Sequence, residues 1–192
     1  VHPSVSAQTV KELILIAKSS PGTLNYGAGS TPFQLAAELF KLQAGISLSH
    51  VPYKGSAQAV NAVLANDVQL TFVDAPPVVG QIKGGKLRGL GVTSRTRAPI
   101  LSELPTMIEA GMPDFEVVLW TSLFAPVGTP RPIIDKLQLQ IARILQLPDM
   151  RGRFAALGID PVGNTPDQLG AIVKADVEKW TAVARTANVR AD

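Results

Sequence analysis

Three times along this chain an apolar stretch runs into a short turn and out into a helix-start signal. The places are Leu24-Asn25-Tyr26-Gly27-Ala28-Gly29-Ser30-Thr31-Pro32, Val51-Pro52-Tyr53-Lys54-Gly55-Ser56 and Phe72-Val73-Asp74-Ala75-Pro76-Pro77. Strand, turn and helix in succession point to a parallel sheet whose crossovers are the helices, because parallel neighbours need a connection long enough to return. The fold class is therefore α/β. Ligands of such sheets collect outside the carboxyl ends of the strands, so all three turns are expected on one rim.

The rest of the pattern fits around these units. Thr9-Val10-Lys11-Glu12 is a capping box that opens a first helix, stopped by Ser19-Ser20-Pro21-Gly22. Strands are expected near 23–27, 46–51, 68–73, 87–92 and 115–120, and helices near 32–44, 57–65 and 76–83, with a short one opened by Thr106 and Glu109. After Phe115-Glu116-Val117-Val118-Leu119-Trp120 only helices are expected: 131–147 behind Thr129-Pro130, one from Pro148-Asp149 to Gly158, and 166–187 behind Thr165-Pro166. A strandless stretch of that length needs a sheet supplied from elsewhere.

Composition narrows the function. With 46% hydrophobic and 17% charged residues the chain is globular, and charges interrupt every apolar run before it reaches the length of a membrane helix. The net charge of +3 is spread without a basic run or interleaved aromatics, which argues against nucleic acid as a partner. The absence of cysteine removes disulfides, thiol nucleophiles and thiolate metal sites together. Neither histidine, His2 nor His50, sits in a ligand-like cluster, so no metal or other cofactor is expected. No nucleophile elbow, phosphate loop, dinucleotide fingerprint or zinc-protease motif is present, and the expectation is binding without catalysis. Starting at Val1 without a leader or initiator methionine, the chain reads as a processed or excised piece.

Each turn has two readings. Thr31, Pro32 and Gln34 form a capping-box pattern, so Ser30 and Thr31 either cap the helix or meet an anion at its positive end. Lys54 is either a solvated loop charge or, with Gly55 and Ser56, part of a second anion seat. Asp74 either caps the next helix or accepts a hydrogen bond from a ligand, and Pro76 and Pro77 behind it supply no backbone donors. Tyr26 and Trp120 are either an apolar wall or core, and His50 is structural.

Asn25-Tyr26-Gly27, Val51 to Ser56, Gly85-Lys86-Leu87-Arg88-Gly89-Leu90-Gly91-Val92-Thr93-Ser94, Leu104-Pro105-Thr106 with Glu109-Ala110-Gly111, and Ala125-Pro126-Val127-Gly128-Thr129-Pro130 together resemble the Bug-type solute receptors of tripartite tricarboxylate transporters. The resemblance implies a periplasmic, two-lobed receptor of the type II binding-protein fold, closing on a small organic carboxylate or amino-acid-like solute and delivering it to membrane transporter subunits. It implies a ligand site at Gly27, Gly29, Ser30, Thr31, Lys54, Gly55, Ser56, Asp74, Ala75 and Pro76, to which the apolar-wall reading adds Tyr26. Two departures stand out: the turn at Gly27–Pro32 is shorter than members commonly carry, and Phe33-Gln34 stands where a histidine is common. Family chains start roughly a hundred residues earlier, about one domain's worth. Residues 1–122 thus correspond to a second lobe, with its parallel-rich sheet, and 123–192 to C-terminal helices that pack on a first lobe. Helices bearing Ile133, Ile134, Leu137, Ile141, Ile144 and Leu145 would then lack their cover, and the 192-residue chain is expected to self-associate.

Rival classes are the ligand-sensing domain of a transcriptional regulator, which would need a helix-turn-helix not visible here, and a phosphate-handling enzyme, for which Asp74 is a thin candidate base.

Overall fold

The computed structural model describes residues 1–189. The chain forms two compact units, one of Val1–Leu119 together with residues 183–189, the other of Trp120–Ala182.

The first unit is built on a three-stranded parallel sheet. Its strands are β1 (Asn25–Ala28), β2 (Ser49–Pro52) and β3 (Leu70–Thr71), in the order β2-β1-β3. Asn25 faces Ser49 and Ala28 faces Pro52, while Tyr26 faces Leu70 and Gly27 faces Thr71. Around it lie α1 (Val10–Ser19), α2 (Thr31–Ala44), α3 (Ser56–Leu64) and α4 (Pro76–Lys83).

The helices form where the sequence starts and stops them. Thr9 caps α1, its Oγ1 accepting from Glu12 N at 3.2 Å, and the Glu12 carboxylate accepts from Gln8 N at 2.6 Å. Val10, Leu13 and Ala17 are the buried stripe of α1 at helical spacing. α2 buries Ala36, Ala37, Leu39, Phe40 and Ala44 and ends at Gly45, whose φ of +63° is the left-handed turn a glycine makes cheaply. Val60, Ala62 and Val63 of α3 pack with Val68, Val78 and Leu87 in one core cluster. Phe40, Phe72 and Phe115 form a second, with ring centroids 5.6–6.2 Å apart in tilted and edge-on geometry.

Several expected elements differ. β3 covers two residues, Leu70 and Thr71, rather than the expected run of 68–73: Gln69 N donates to Asn25 O at 2.9 Å just before it, and the ladder to β1 ends at the Gly27–Thr71 pair. Residues 87–92 are extended without a ladder: Arg88 exchanges hydrogen bonds with Val1, and Val92 makes one parallel bridge to Thr106. Residues 115–120 likewise form no strand: their backbone is held at Val117 by Thr93, whose carbonyl accepts from Val117 N at 2.9 Å and whose Oγ1 donates to Val117 O at 2.7 Å. The Thr106–Glu109 capping box forms in both directions, at 3.0 and 2.9 Å. It opens a turn and no helix, because Gly111 at φ +99° redirects the chain at once. A short 3₁₀ turn at Pro99–Leu101 was not expected from the sequence.

The second unit holds α5 (Arg131–Leu145), α6 (Pro148–Ala156) and most of α7 (Pro166–Thr186). Arg131 joins two of them, pairing with Asp135 at 2.8 Å and with Asp167 at 3.3 Å. Trp120 Nε1 donates to Asp176 Oδ2 at 2.6 Å, so Trp120 is a hydrogen-bonded, partly exposed side chain rather than core.

Candidate functional site

Because β1, β2 and β3 are parallel neighbours, their carboxyl ends deliver the turns 28–31, 52–56 and 72–76 to one edge of the sheet, ahead of α2, α3 and α4. The first two turns are laced together. Tyr53 N donates to Ala28 O and Gly55 N to Gly29 O, both at 2.9 Å. A Cβ on Gly29 would run into the backbone of Gly55 and Ser56, so only glycine allows this approach. Gly55, at φ +103°, is the matching glycine on the other side. Gly27 lies beneath the Tyr53 ring, where a Cβ would meet Tyr53 Cε2 and Val68 Cγ2 at 3.1 Å.

The helix starts exposed here are unequal. Ser30, not Thr31, is the N-cap of α2: its backbone carbonyl accepts from Phe33 N and Gln34 N at 3.1 Å, and no side-chain cap forms. The capping box expected from Thr31 and Gln34 is therefore not made, because Thr31 already lies inside the helix. The hydroxyls of Ser30 and Thr31 are left unused by the helix. In the same way Gly55 is the N-cap of α3, and the Ser56 hydroxyl and the amides of Ser56, Ala57 and Gln58 have no acceptor among the described residues. Gln58, for which the sequence raised no expectation, accepts from Lys54 N at 3.0 Å and fixes the turn. Its place four residues after Lys54 was the available signal. The Lys54 side chain is exposed and forms no ion pair among the described residues.

α4 is of another kind. Pro76 and Pro77 carry no N–H, and Val78 N is taken by Ala75 O at 3.0 Å. Asp74 is exposed and does not cap the helix, whose N-cap is Ala75. This turn therefore offers an acceptor, the Asp74 carboxylate, where the other two offer donors. Thr71, equally unmarked in the sequence, holds the turn from below, its Oγ1 donating to Gly27 O at 2.8 Å.

One expected site residue is withdrawn from the rim. Tyr26 has no exposed surface, and its hydroxyl donates to Glu38 Oε1 at 2.6 Å. Lys41 Nζ reaches the same carboxylate at 2.8 Å, and the ring stacks on His50 with centroids 5.0 Å apart. Burial and the adjoining carboxylate push the Tyr26 phenol well above its ordinary pKa. Its contribution is to join α2 to the sheet. Tyr26 is thus core, and Trp120 belongs to the other compact unit. Among the described residues no cluster of histidine and carboxylate could hold a metal, and no helix is long and apolar enough to cross a membrane.

Residues 1–189 match the sequence pattern of the tripartite tricarboxylate transporter family receptor, TctC, and the chain belongs to that family. It is 33% identical over 186 residues to the protein BugT of Bordetella pertussis, covering 96% of this chain and 57% of BugT. Among solved structures it is similar to Rpa4515 of R. palustris with adipate, at TM-score 0.85 and 34% identity, covering 98% of this chain and 64% of that one. MatC from Rhodopseudomonas palustris with bound malate superposes at TM-score 0.71 and 28% identity, covering 92% and 62%. The chain spans about half the length of the curated relatives it matches. The α/β class with a parallel sheet read from the residues, and the periplasmic binding-protein fold implied by the resemblance, are those of these neighbours.

Proposed function

We propose that this chain is the binding lobe of a periplasmic solute receptor that captures a small organic carboxylate for a tripartite transporter and catalyses no reaction. The observation that carries the reading is the lacing of Gly29 to Gly55. It brings two helix starts to one edge with the hydroxyls of Ser30, Thr31 and Ser56 unspent and Lys54 beside them. A carboxylate there meets aligned amides, hydroxyls and a cation, each hydrogen bond to the charge contributing about 1.5–3 kcal/mol. Gly27, Gly29 and Gly55 shape this seat, and Lys54, Ser30, Thr31 and Ser56 contact the anion. Asp74, with Ala75 and Pro76 holding its turn, takes the hydroxyl or ammonium that a hydroxy acid or amino acid carries beside its carboxylate. The bound adipate and malate of the two structural neighbours support a carboxylate class.

The test is a titration of the 192-residue chain with adipate and with malate, monitored by amide chemical shifts. Saturable shifts concentrated at residues 29–31 and 54–58 are expected. Ser30→Ala with Thr31→Ala should weaken them far more than it lowers the melting temperature. Shifts scattered over the surface, or equal loss of binding and stability, would reduce these residues to helix starts.

We infer further that the chain self-associates through the unit Trp120–Ala182. α5 is amphipathic yet buries no residue, and Leu123, Phe124 and Val127 are 78, 70 and 106% exposed. A concentration-dependent mass by light scattering is expected; a monomer at every concentration would refute it.

A further inference from the structure

Gln58 is the third residue of α3, and its side chain bends back over the first turn so that Oε1 accepts from Lys54 N at 3.0 Å. In a capping box the residue at this position reaches the amide of the N-cap itself. Here the N-cap is Gly55, whose N–H is already spent on Gly29 O at 2.9 Å, and Gln58 takes the amide one residue earlier. A backbone N–H can bond only the oxygen of a side-chain amide, which settles the orientation of the group. Its Nε2 is therefore turned away from Lys54 N, at the N-terminal end of α3, and has no acceptor among the described residues.

The same backward bond occurs elsewhere among the described residues, and there the box is closed. Glu12 accepts from Gln8 N at 2.6 Å while its own N–H donates to Thr9 Oγ1 at 3.2 Å. Glu109 accepts from Thr106 N and donates to Thr106 Oγ1, and Gln168 does the same with Thr165. In each case a threonine hydroxyl consumes the amide of the residue that reaches back. Gly55 has no side chain with which to do so. The N–H of Gln58 is thus left open together with those of Ser56 and Ala57, and Nε2 adds side-chain donors to that set. Glutamate would make the bond to Lys54 N equally well and would suit the positive end of the helix. It would also carry a negative charge into a seat built of donors, whereas glutamine keeps the bond and leaves out the charge.

We propose that Gln58 touches the ligand and selects its charge: while Oε1 holds the turn at Lys54, Nε2 donates to the carboxylate seated at the starts of α2 and α3. This assignment rests on the anion seat at Ser30, Thr31, Lys54 and Ser56 proposed above. A carboxylate has acceptor sites on two oxygens, so the amides of α3 and the Gln58 Nε2 can be met at once. Hydrogen bonds to an ionised acceptor are the strong ones, and a neutral amide of the same acid offers one oxygen and no charge. Gln58 therefore favours the free acid anion over its uncharged derivatives.

The experiment titrates the 192-residue chain with adipate at neutral pH and follows the side-chain amide protons of Gln58, assigned by their disappearance from the spectrum of Gln58→Glu. They are expected to shift saturably, with the same midpoint as the backbone amides of residues 29–31. Gln58→Glu should bind adipate about tenfold or more weakly, because like charges then face each other, at a melting temperature unchanged or slightly raised. Side-chain protons that stay still while 29–31 shift overturn the proposal and leave the seat standing, as does adipate binding by Gln58→Glu at the parent's strength. Parallel losses of binding and melting temperature reduce Gln58 to holding the turn and overturn it too. No saturable shift anywhere in the parent chain removes the seat itself, and this assignment with it.

Discussion

Residues 1–119 and 120–182 carry the same kind of helix and treat it in opposite ways. In the first stretch α2 and α3 press apolar stripes on the sheet, α1 brings Val10 beside Gly91, and each of α1 to α4 has buried side chains. In the second no residue is buried, although α5 repeats apolar positions at Ile133, Leu137, Ile141 and Ile144 with helical spacing. The difference lies in the partner and not in the helix. A sheet accepts several helices on its faces, whereas in the second unit Arg131 and Gln138 tie α5 to Asp167 and Gly163 by polar contacts while its apolar side chains stay exposed. Amphipathicity states that a face needs cover; it does not say what covers it.

The sharpest way to break the contrast is at the closest backbone approach in the first unit. Gly29→Ala drives a Cβ into the backbone of Gly55 and Ser56, which has no flexible side chain to give way. Chemical denaturation should show a loss of about 3 kcal/mol or more, and the laced rim should open. Gly152→Ala, in α6 of the second unit with nothing within 4 Å, is the matched control and should leave stability unchanged or slightly raised.

Much of this was legible in the residues. The three strand-turn-helix units pointed to the parallel sheet and its rim, because each punctuation residue has a local mechanism: Gly45 for a left-handed stop, Pro76 for a first turn, Gly55 for a positive φ. What failed was non-local. Residues 87–92 have strand composition, yet a strand is defined by its neighbours, and theirs are isolated contacts, Arg88 with Val1 and Val92 with Thr106. Thr31 had the right spacing to Gln34, but the helix begins one residue earlier and moves the cap to Ser30. Tyr26 looked like a ligand wall because it adjoins a glycine turn. The period of a strand turns its side chain the other way, toward α2 and the carboxylate of Glu38.

Tyr26 also gives an intermediate test of whether the first unit is held by polar as well as apolar contacts. Tyr26→Phe keeps the ring on His50 but removes the donor at 2.6 Å, leaving the buried Glu38 carboxylate with Lys41 alone. A loss of about 1–3 kcal/mol is expected, with adipate-induced shifts at 29–31 and 54–58 preserved. Loss of those shifts at unchanged stability would instead return Tyr26 to the ligand site.

The smallest expected change in stability is in the second unit, where it tests most directly what the exposed face is for. Ile133 and Leu137 are 50 and 54% exposed on neighbouring turns of α5. Replacing both by glutamate removes no buried contact, so the unfolding free energy of the dilute protein should move by no more than about 0.5 kcal/mol per site. The same change places two charges on the face inferred to join copies of the chain, and an apolar contact does not tolerate unpaired charge. The mass at high concentration should then fall to that of one chain. If the double variant associates as before, copies meet through another surface; if it unfolds when dilute, α5 has internal packing that its exposure does not reveal.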